Sequence, residues 1–143
     1  MATLERAIQI MVEVHSGQVD KGGNPYVLHP MRVMLAGDTD DERMVGALHD
    51  AIEDSRGVWT AARLRAEGFS ARVVDAVVSV TRLPGESYGN FIRRAATDPI
   101  GRKVKLRDID DNSDLSRIQN PTQRDLDRVV KYRRAITVLT AQN

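Results

Sequence analysis

The chain has 143 residues with 41% apolar and 29% charged side chains, a formal net charge of +1 and no cysteine. This length suits one domain with a real core, and the lack of cysteine excludes disulfides, thiolate zinc sites and a cysteine nucleophile, leaving nitrogen and oxygen for any metal. Scattered basic residues argue against nucleic acid as a partner. With no apolar run near the roughly 20 residues of a membrane span and no signal-peptide pattern in Met1–Arg6, a soluble cytoplasmic protein without a membrane partner is expected.

Leu4, Ala7, Ile8, Met11 and Val12 repeat at helical spacing behind a Thr3 cap, which predicts a first amphipathic helix fading at His15-Ser16-Gly17. Residues 17–29 read as a loop containing Gly22-Gly23-Asn24-Pro25, and His29-Pro30 starts a second helix with proline in its first turn. Asp40-Asp41-Glu42 suits the amino terminus of a helix running on through His49 and Asp50. Trp59 to Glu67 and Ser70 to Thr81 read as helices separated by Gly68, with Val73, Val74, Ala76, Val77 and Val80 inward. Beyond Leu83-Pro84-Gly85, residues 88–97 are helical, and Pro99 opens a long helical stretch towards Ile118. Pro121-Thr122 punctuates it, and Leu126, Val129, Val130, Ile136 and Leu139 mark a last helix. The pattern is all-α, with no repeat, linker or low-complexity segment, and predicts one domain over residues 1–143.

Chemistry concentrates in Gly46-Ala47-Leu48-His49-Asp50-Ala51-Ile52-Glu53-Asp54-Ser55. His49 and Asp50 can ligate one divalent cation, and Glu53 and Asp54 follow at i+4 spacing. Lys105, Asp108 and Asn112 fall at i, i+3 and i+7 and so share a helical face. If that face meets the His49-Asp50 segment, then His29, His49, Asp50 and Asp108 form a His₂Asp₂ set with positions left for water. Such ligands suit manganese, iron or zinc, and spacing does not choose among them. A bound cation would polarise a phosphoryl oxygen, with Glu53 or Asp54 accepting a proton and Lys21 and Lys105 neutralising phosphate charge. Taken singly, the same residues have plainer readings: Asp108 as a surface acid, His29 as a capping residue, His15 as a helix-end residue and both lysines as solvated charges. The glycine loop lacks the Gly-x-x-x-x-Gly-Lys-Ser/Thr spacing of a P-loop.

Three ordered blocks carry a resemblance to a known family. They are His15-Ser16-Gly17-Gln18 with Lys21-Gly22-Gly23-Asn24-Pro25-Tyr26-Val27-Leu28-His29-Pro30, then Ala47-Leu48-His49-Asp50-Ala51-Ile52-Glu53-Asp54, then Val104-Lys105-Leu106-Arg107-Asp108 with Asn112. Across nearly its whole length the chain resembles the HD-domain phosphohydrolases of the RelA/SpoT-homologue family, in particular the stand-alone small alarmone hydrolases. The resemblance implies a compact HD-domain bundle of roughly 6–8 helices. It further implies one cation, typically manganese, on His29, His49, Asp50 and Asp108, with Glu53 and Asp54 handling the attacking water. Lys21, Lys105, Asn112 and Tyr132 would meet the nucleotide, and synthesis is not expected.

The implied reaction is 3′-pyrophosphohydrolysis of guanosine tetra- or pentaphosphate, (p)ppGpp, to GDP or GTP and pyrophosphate. Asp20 stands where long relatives often carry a basic residue and Ile109 where they often carry arginine. Both remove positive charge and bear on substrate range. Two alternatives follow: an HD hydrolase of another phosphorylated nucleotide, a monophosphate or NADPH, and a non-catalytic alarmone-binding module. Oligomeric state and the physiological metal lie outside these patterns.

Overall fold

Most helix starts along this chain, those at Leu28 and Ala51 excepted, are set by short polar side chains that supply acceptors to first-turn N–H groups lacking intrahelical partners. The computed structural model describes residues 1–141. Thr3 caps α1 (Leu4–His15), Thr39 caps α3 (Asp40–Leu48), Thr60 caps α5 (Ala61–Glu67), Ser70 caps α6 (Ala71–Ser79) and Ser87 caps α7 (Tyr88–Ala96). Asp98 caps α8 (Pro99–Asn112) through Ile100 N and Gly101 N, and Thr122 forms a capping box with Asp125 ahead of α9 (Gln123–Thr140). Between the first two of these helices lies α2 (Leu28–Leu35), and α4 (Ala51–Asp54) is a single turn after α3. Among the described residues there is no strand, only an isolated bridge between Val19 and Pro25 that closes the loop ahead of α2. The expected all-α bundle is what the chain forms.

Three boundaries differ from expectation. The helix containing His49 does not run through Asp50: α3 ends at Leu48, Asp50 takes φ −101° and ψ 1°, and α4 begins afresh at Ala51. The cause is local, because the His49 ring takes the Gly46 carbonyl at 2.7 Å in place of a continuing helical bond. The stretch after Pro99 stops at Asn112, where the Ser113 hydroxyl bonds back to the Ile109 carbonyl at 2.7 Å and a 3-10 turn (Leu115–Arg117) follows. Helix α5 begins two residues after Trp59, whose indole is buried in the preceding turn beneath the Arg63 guanidinium, 3.9 Å from the ring centre.

The buried apolar residues form two clusters. Ala7, Ile10, Met11, Val33, Val45, Leu48, Trp59, Leu64, Val74 and Val77 belong to the larger, which joins α1, α2, α3, α5 and α6. Val80, Ile92, Ala95, Ile109, Ala135 and Leu139 form the smaller, between α7, α8 and α9. Helix α8 serves both, with Ile100 and Val104 in the first and Ile109 in the second. Asp108 therefore lies on α8 between residues that serve the two cores, Val104 and Ile109. Close approach of α2 and α3 requires Gly46: a Cβ there would stand 2.8 Å from Met34 Cα and 2.9 Å from Met34 N. The buried Glu42 near the start of α3 ties it to α8 through Arg107 at 2.6 Å. No helix among the described residues is long and apolar enough to cross a membrane.

Candidate metal centre

Helices α2, α3 and α8 converge on two imidazoles. His29, in the first turn of α2, and His49, just past α3, are both buried, and their Nε2 atoms lie 3.3 Å apart. Asp50 Oδ2 is 3.2 Å from His49 Nε2 and 3.9 Å from His29 Nε2. Asp108 Oδ1 enters from α8, 3.0 Å from His29 Nε2 and 3.6 Å from His49 Nε2. The four residues singled out in sequence are thus brought together, and Asp108 is not a surface acid: its residue is 5% exposed. His29 is not a capping residue either, since its ring is buried in this cluster.

The donors fit a divalent cation. One ligand atom from each of His29, His49 and Asp50 lies within 4.8 Å of the others, and nitrogen with carboxylate oxygen is a usual donor set for such ions. The outward nitrogens are also held correctly. Gly46 O accepts from His49 Nδ1 at 2.7 Å, and the Asp111 carboxylate accepts from His29 Nδ1 at 2.6 Å. Neither acceptor can donate, so each Nδ1 carries hydrogen and each neutral ring keeps its Nε2 lone pair facing the centre. Tyr26 steadies Asp50 by donating its hydroxyl to Oδ2 at 2.7 Å.

Without a cation, protons and ion pairs balance the cluster. Burial opposes charge on His49, but Asp50 and Asp108 outweigh it and hold the imidazole up at about 9. Burial alone would raise the Asp108 carboxyl, whereas Lys105, His29 and His49 keep it well below the usual carboxylate range. Lys105 Nζ sits 2.7 Å from Asp108 Oδ2, and Asn112 Nδ2 donates to Oδ1 at 2.9 Å, so the i, i+3, i+7 face closes on its own acid.

Glu53 and Asp54 diverge. Glu53 Oε1 accepts the Arg82 backbone N–H at 2.5 Å, and burial with the neighbouring Asp50 charge raises its carboxyl despite that bond. Asp54 is raised chiefly by burial and then by Asp50, and its Oδ2 lies 3.8 Å from Nδ1 of His15. His15 does end α1, yet it is buried, its Nδ1 meets Gln18 Oε1 at 3.1 Å and its Nε2 has no partner among the described residues.

A cavity of about 170 Å³ opens beside this cluster and is lined by Asp50, Glu53, Lys105, Asp108, Asn112 and Tyr132 among others. Arg82 and Lys131 also line it, so that with Lys105 three cations face the carboxylates of Asp50, Glu53 and Asp108. Lys21 is not in it: that side chain is 56% exposed, 3.6 Å from Asp125, and borders an adjoining cleft of about 330 Å³ with Tyr26, His29 and Asn112. Asn112 lines both spaces. Of the two departures from the family pattern, Asp20 builds its loop by accepting from Gly22 N and Asn24 N at 2.9 Å, and Ile109 is buried in the smaller core.

Tyr26, Arg82 and Asp111 went unassigned in the sequence reading. Tyr26 lies inside the first block and Asp111 between Asp108 and Asn112 of the third, but no local periodicity pairs them with Asp50 or with His29, 24 and 82 residues away.

Fold and centre together define an HD-like all-α bundle in which two buried histidines meet the half-buried Asp50. Its sequence relatives are enzymes of the RelA/SpoT family, and the chain is a member of that family over the segment it shares with them. No family model matches it. It is 32% identical over 121 residues, 76% of its length, to a guanosine-3′,5′-bis(diphosphate) 3′-pyrophosphohydrolase of Aquifex aeolicus (strain VF5), of which this covers 17%. Identity is 30% over 115 residues to a GTP pyrophosphokinase of Streptomyces coelicolor, covering 73% of the chain and 14% of the relative. A GTP pyrophosphokinase of Myxococcus xanthus is 37% identical over 84 residues, covering 56% of the chain and 11% of the relative. The chain thus spans less than a fifth of the length of these relatives.

Proposed function

We propose that residues 1–143 act as one metal-dependent phosphohydrolase domain that removes the 3′-pyrophosphate of (p)ppGpp, giving GDP or GTP and pyrophosphate. The observation that carries this reading is the convergence of His29, His49 and Asp50 on one point, with Asp108 3.0 Å from His29 and a cavity alongside that Arg82, Lys105 and Lys131 help line. The hydrolase name of one relative supports it further.

His29, His49, Asp50 and Asp108 would hold the cation, manganese by family resemblance. When bound, it would supply Lewis-acid polarisation of a phosphoryl oxygen and acidify water. The chain's own residues do the rest. Glu53, raised by burial and anchored on Arg82 N, sits in the cavity as the group placed to take the proton of the attacking water. Asp54, the second acid of the pair, stands towards His15 and outside the lining of the cavity, which leaves Glu53 as the group for that transfer. Lys105, Arg82 and Lys131 face the cavity and offset phosphate charge, Asn112 and Tyr132 bound the nucleotide, and Lys21 reaches it from the adjoining cleft. The water oxygen joins the phosphorus on the 3′ oxygen, the P–O3′ bond breaks, and the 3′ oxygen leaves with a proton.

The test uses purified protein with manganese and guanosine tetraphosphate, reading pyrophosphate and GDP. Release of both, lost in Asp108→Asn, is the expected result. Asparagine is preferred to alanine because Lys105 is only 12% exposed and a cavity beside it would add a packing loss to the missing charge. Wild-type turnover in Asp108→Asn would sink the assignment. Binding without turnover would favour a non-catalytic alarmone module, and preference for NADPH or a monophosphate would favour another nucleotide substrate.

A further inference from the structure

We infer that Asp111 is a positioning residue for His29 and, through it, for a bound divalent cation. The inference rests on reading His29 as a metal ligand. Asp108 and Asp111 stand one helical turn apart on α8, and between them they hold both nitrogens of the same ring. Asp108 Oδ1 faces Nε2 at 3.0 Å, and Asp111 Oδ2 faces Nδ1 at 2.6 Å. One rigid helix therefore sets the rotation of the imidazole as well as its tautomer.

Asp111 is itself fixed. Arg32 of α2 donates from Nε to Oδ1 at 2.6 Å and from Nη2 to Oδ2 at 3.1 Å. Arg117, in the 3-10 turn, donates from Nη2 to Oδ1 at 3.1 Å and to the Asp111 carbonyl at 2.7 Å. Two guanidinium groups thus clamp a carboxylate whose side chain is 12% exposed. Such a forked pairing is directional and keeps the acid ionised.

The two histidines are consequently unequal. His49 leans on a neutral carbonyl, whereas His29 leans on an anion, which draws its Nδ1 hydrogen and makes Nε2 the more basic donor towards a cation. Carboxylate partners of this kind are typically worth about 10- to 100-fold in metal affinity. Arg32 and Arg117 also line the adjoining cleft of about 330 Å³, so the clamp borders the space that Lys21 and Asn112 share.

The test is cobalt and manganese binding by the whole chain, followed by calorimetry and by the visible absorption of the cobalt form, with melting curves as the folding control. Asp111→Ala should weaken both metals by about 10- to 100-fold and change the cobalt spectrum, an effect that a merely structural loss would not produce in a folded protein. Asp111→Asn keeps an acceptor for the Nδ1 hydrogen without the charge, so it should bind several-fold more weakly than wild type. It decides the matter if the alanine variant does not fold. Wild-type affinity and spectrum in the folded variants overturn the inference while leaving the metal reading intact, provided His49→Ala abolishes binding. A wild-type chain that takes up neither metal overturns both.

Discussion

The Nε2 atoms of His29 and His49 point at one another across 3.3 Å, each ring with its Nδ1 tied down on the far side. Two buried imidazoles do not face each other without something to share between them. Both rings face the carboxylates of Asp50 and Asp108.

Metal binding should therefore release protons and tighten with rising pH. His49 titrates at about 9, so at neutral pH it holds a proton that the cation must displace. As pH rises towards 9, that competition falls away and affinity climbs. Calorimetry in buffers of different ionisation enthalpy measures both the affinity and the protons released; pH-independent affinity between 6 and 9 would contradict the assignment of His49 as a ligand.

Lys105 pairs with Asp108 and lines the cavity, and on the proposed reading it would turn to substrate phosphate. Lys105→Met should leave manganese affinity at or above the wild-type level, because a competing cation is gone from Asp108. Nucleotide KM should rise by about 10- to 100-fold, the size of a lost charge-assisted bond. Equal losses in metal and nucleotide binding would mean that Lys105 holds the centre together instead of meeting substrate.

Gly46→Ala should destabilise the chain by about 1–3 kcal/mol, the usual range for forcing atoms into a packed interface. Its Cβ meets the backbone of Met34, which cannot swing aside. Because Gly46 O also orients His49, metal affinity should fall with stability. Urea unfolding and metal titration of one sample check both, and an unchanged midpoint would show that α2 has room to retreat.

Acid stability should depend on Glu86. The Arg94 guanidinium and the Leu83 N–H hold its carboxyl at about 2, against an ordinary value of 4.5. A depressed carboxyl stabilises the fold above the unfolded value and loses that contribution as pH falls through the folded one. The Tm difference between wild type and Glu86→Gln should accordingly be widest above pH 4.5 and shrink towards pH 2. A difference independent of pH would assign the effect to packing of Arg94.

Helix positions were legible because their causes are local. Thr3, Ser70 and Asp98 cap the next few residues wherever they occur, and apolar spacing of three and four selects a buried face. The same locality explains the misplaced helix through His49: the acids Asp40, Asp41 and Glu42 mark where a helix starts but not where a ring turns back on the Gly46 carbonyl.

The amino-acid sequence by itself determined the all-α class, the cysteine-free ligand chemistry and the residue types that could bind a cation and move a proton. Tertiary structure decided which of them meet. It put Asp108 between two cores beside His29, turned Asp54 towards His15 and left Lys21 in the neighbouring cleft. It also brought Asp111 to His29 across 82 positions. The reason is physical: capping and amphipathicity act over a turn or two of chain, whereas a metal centre depends on packing between helices distant in sequence.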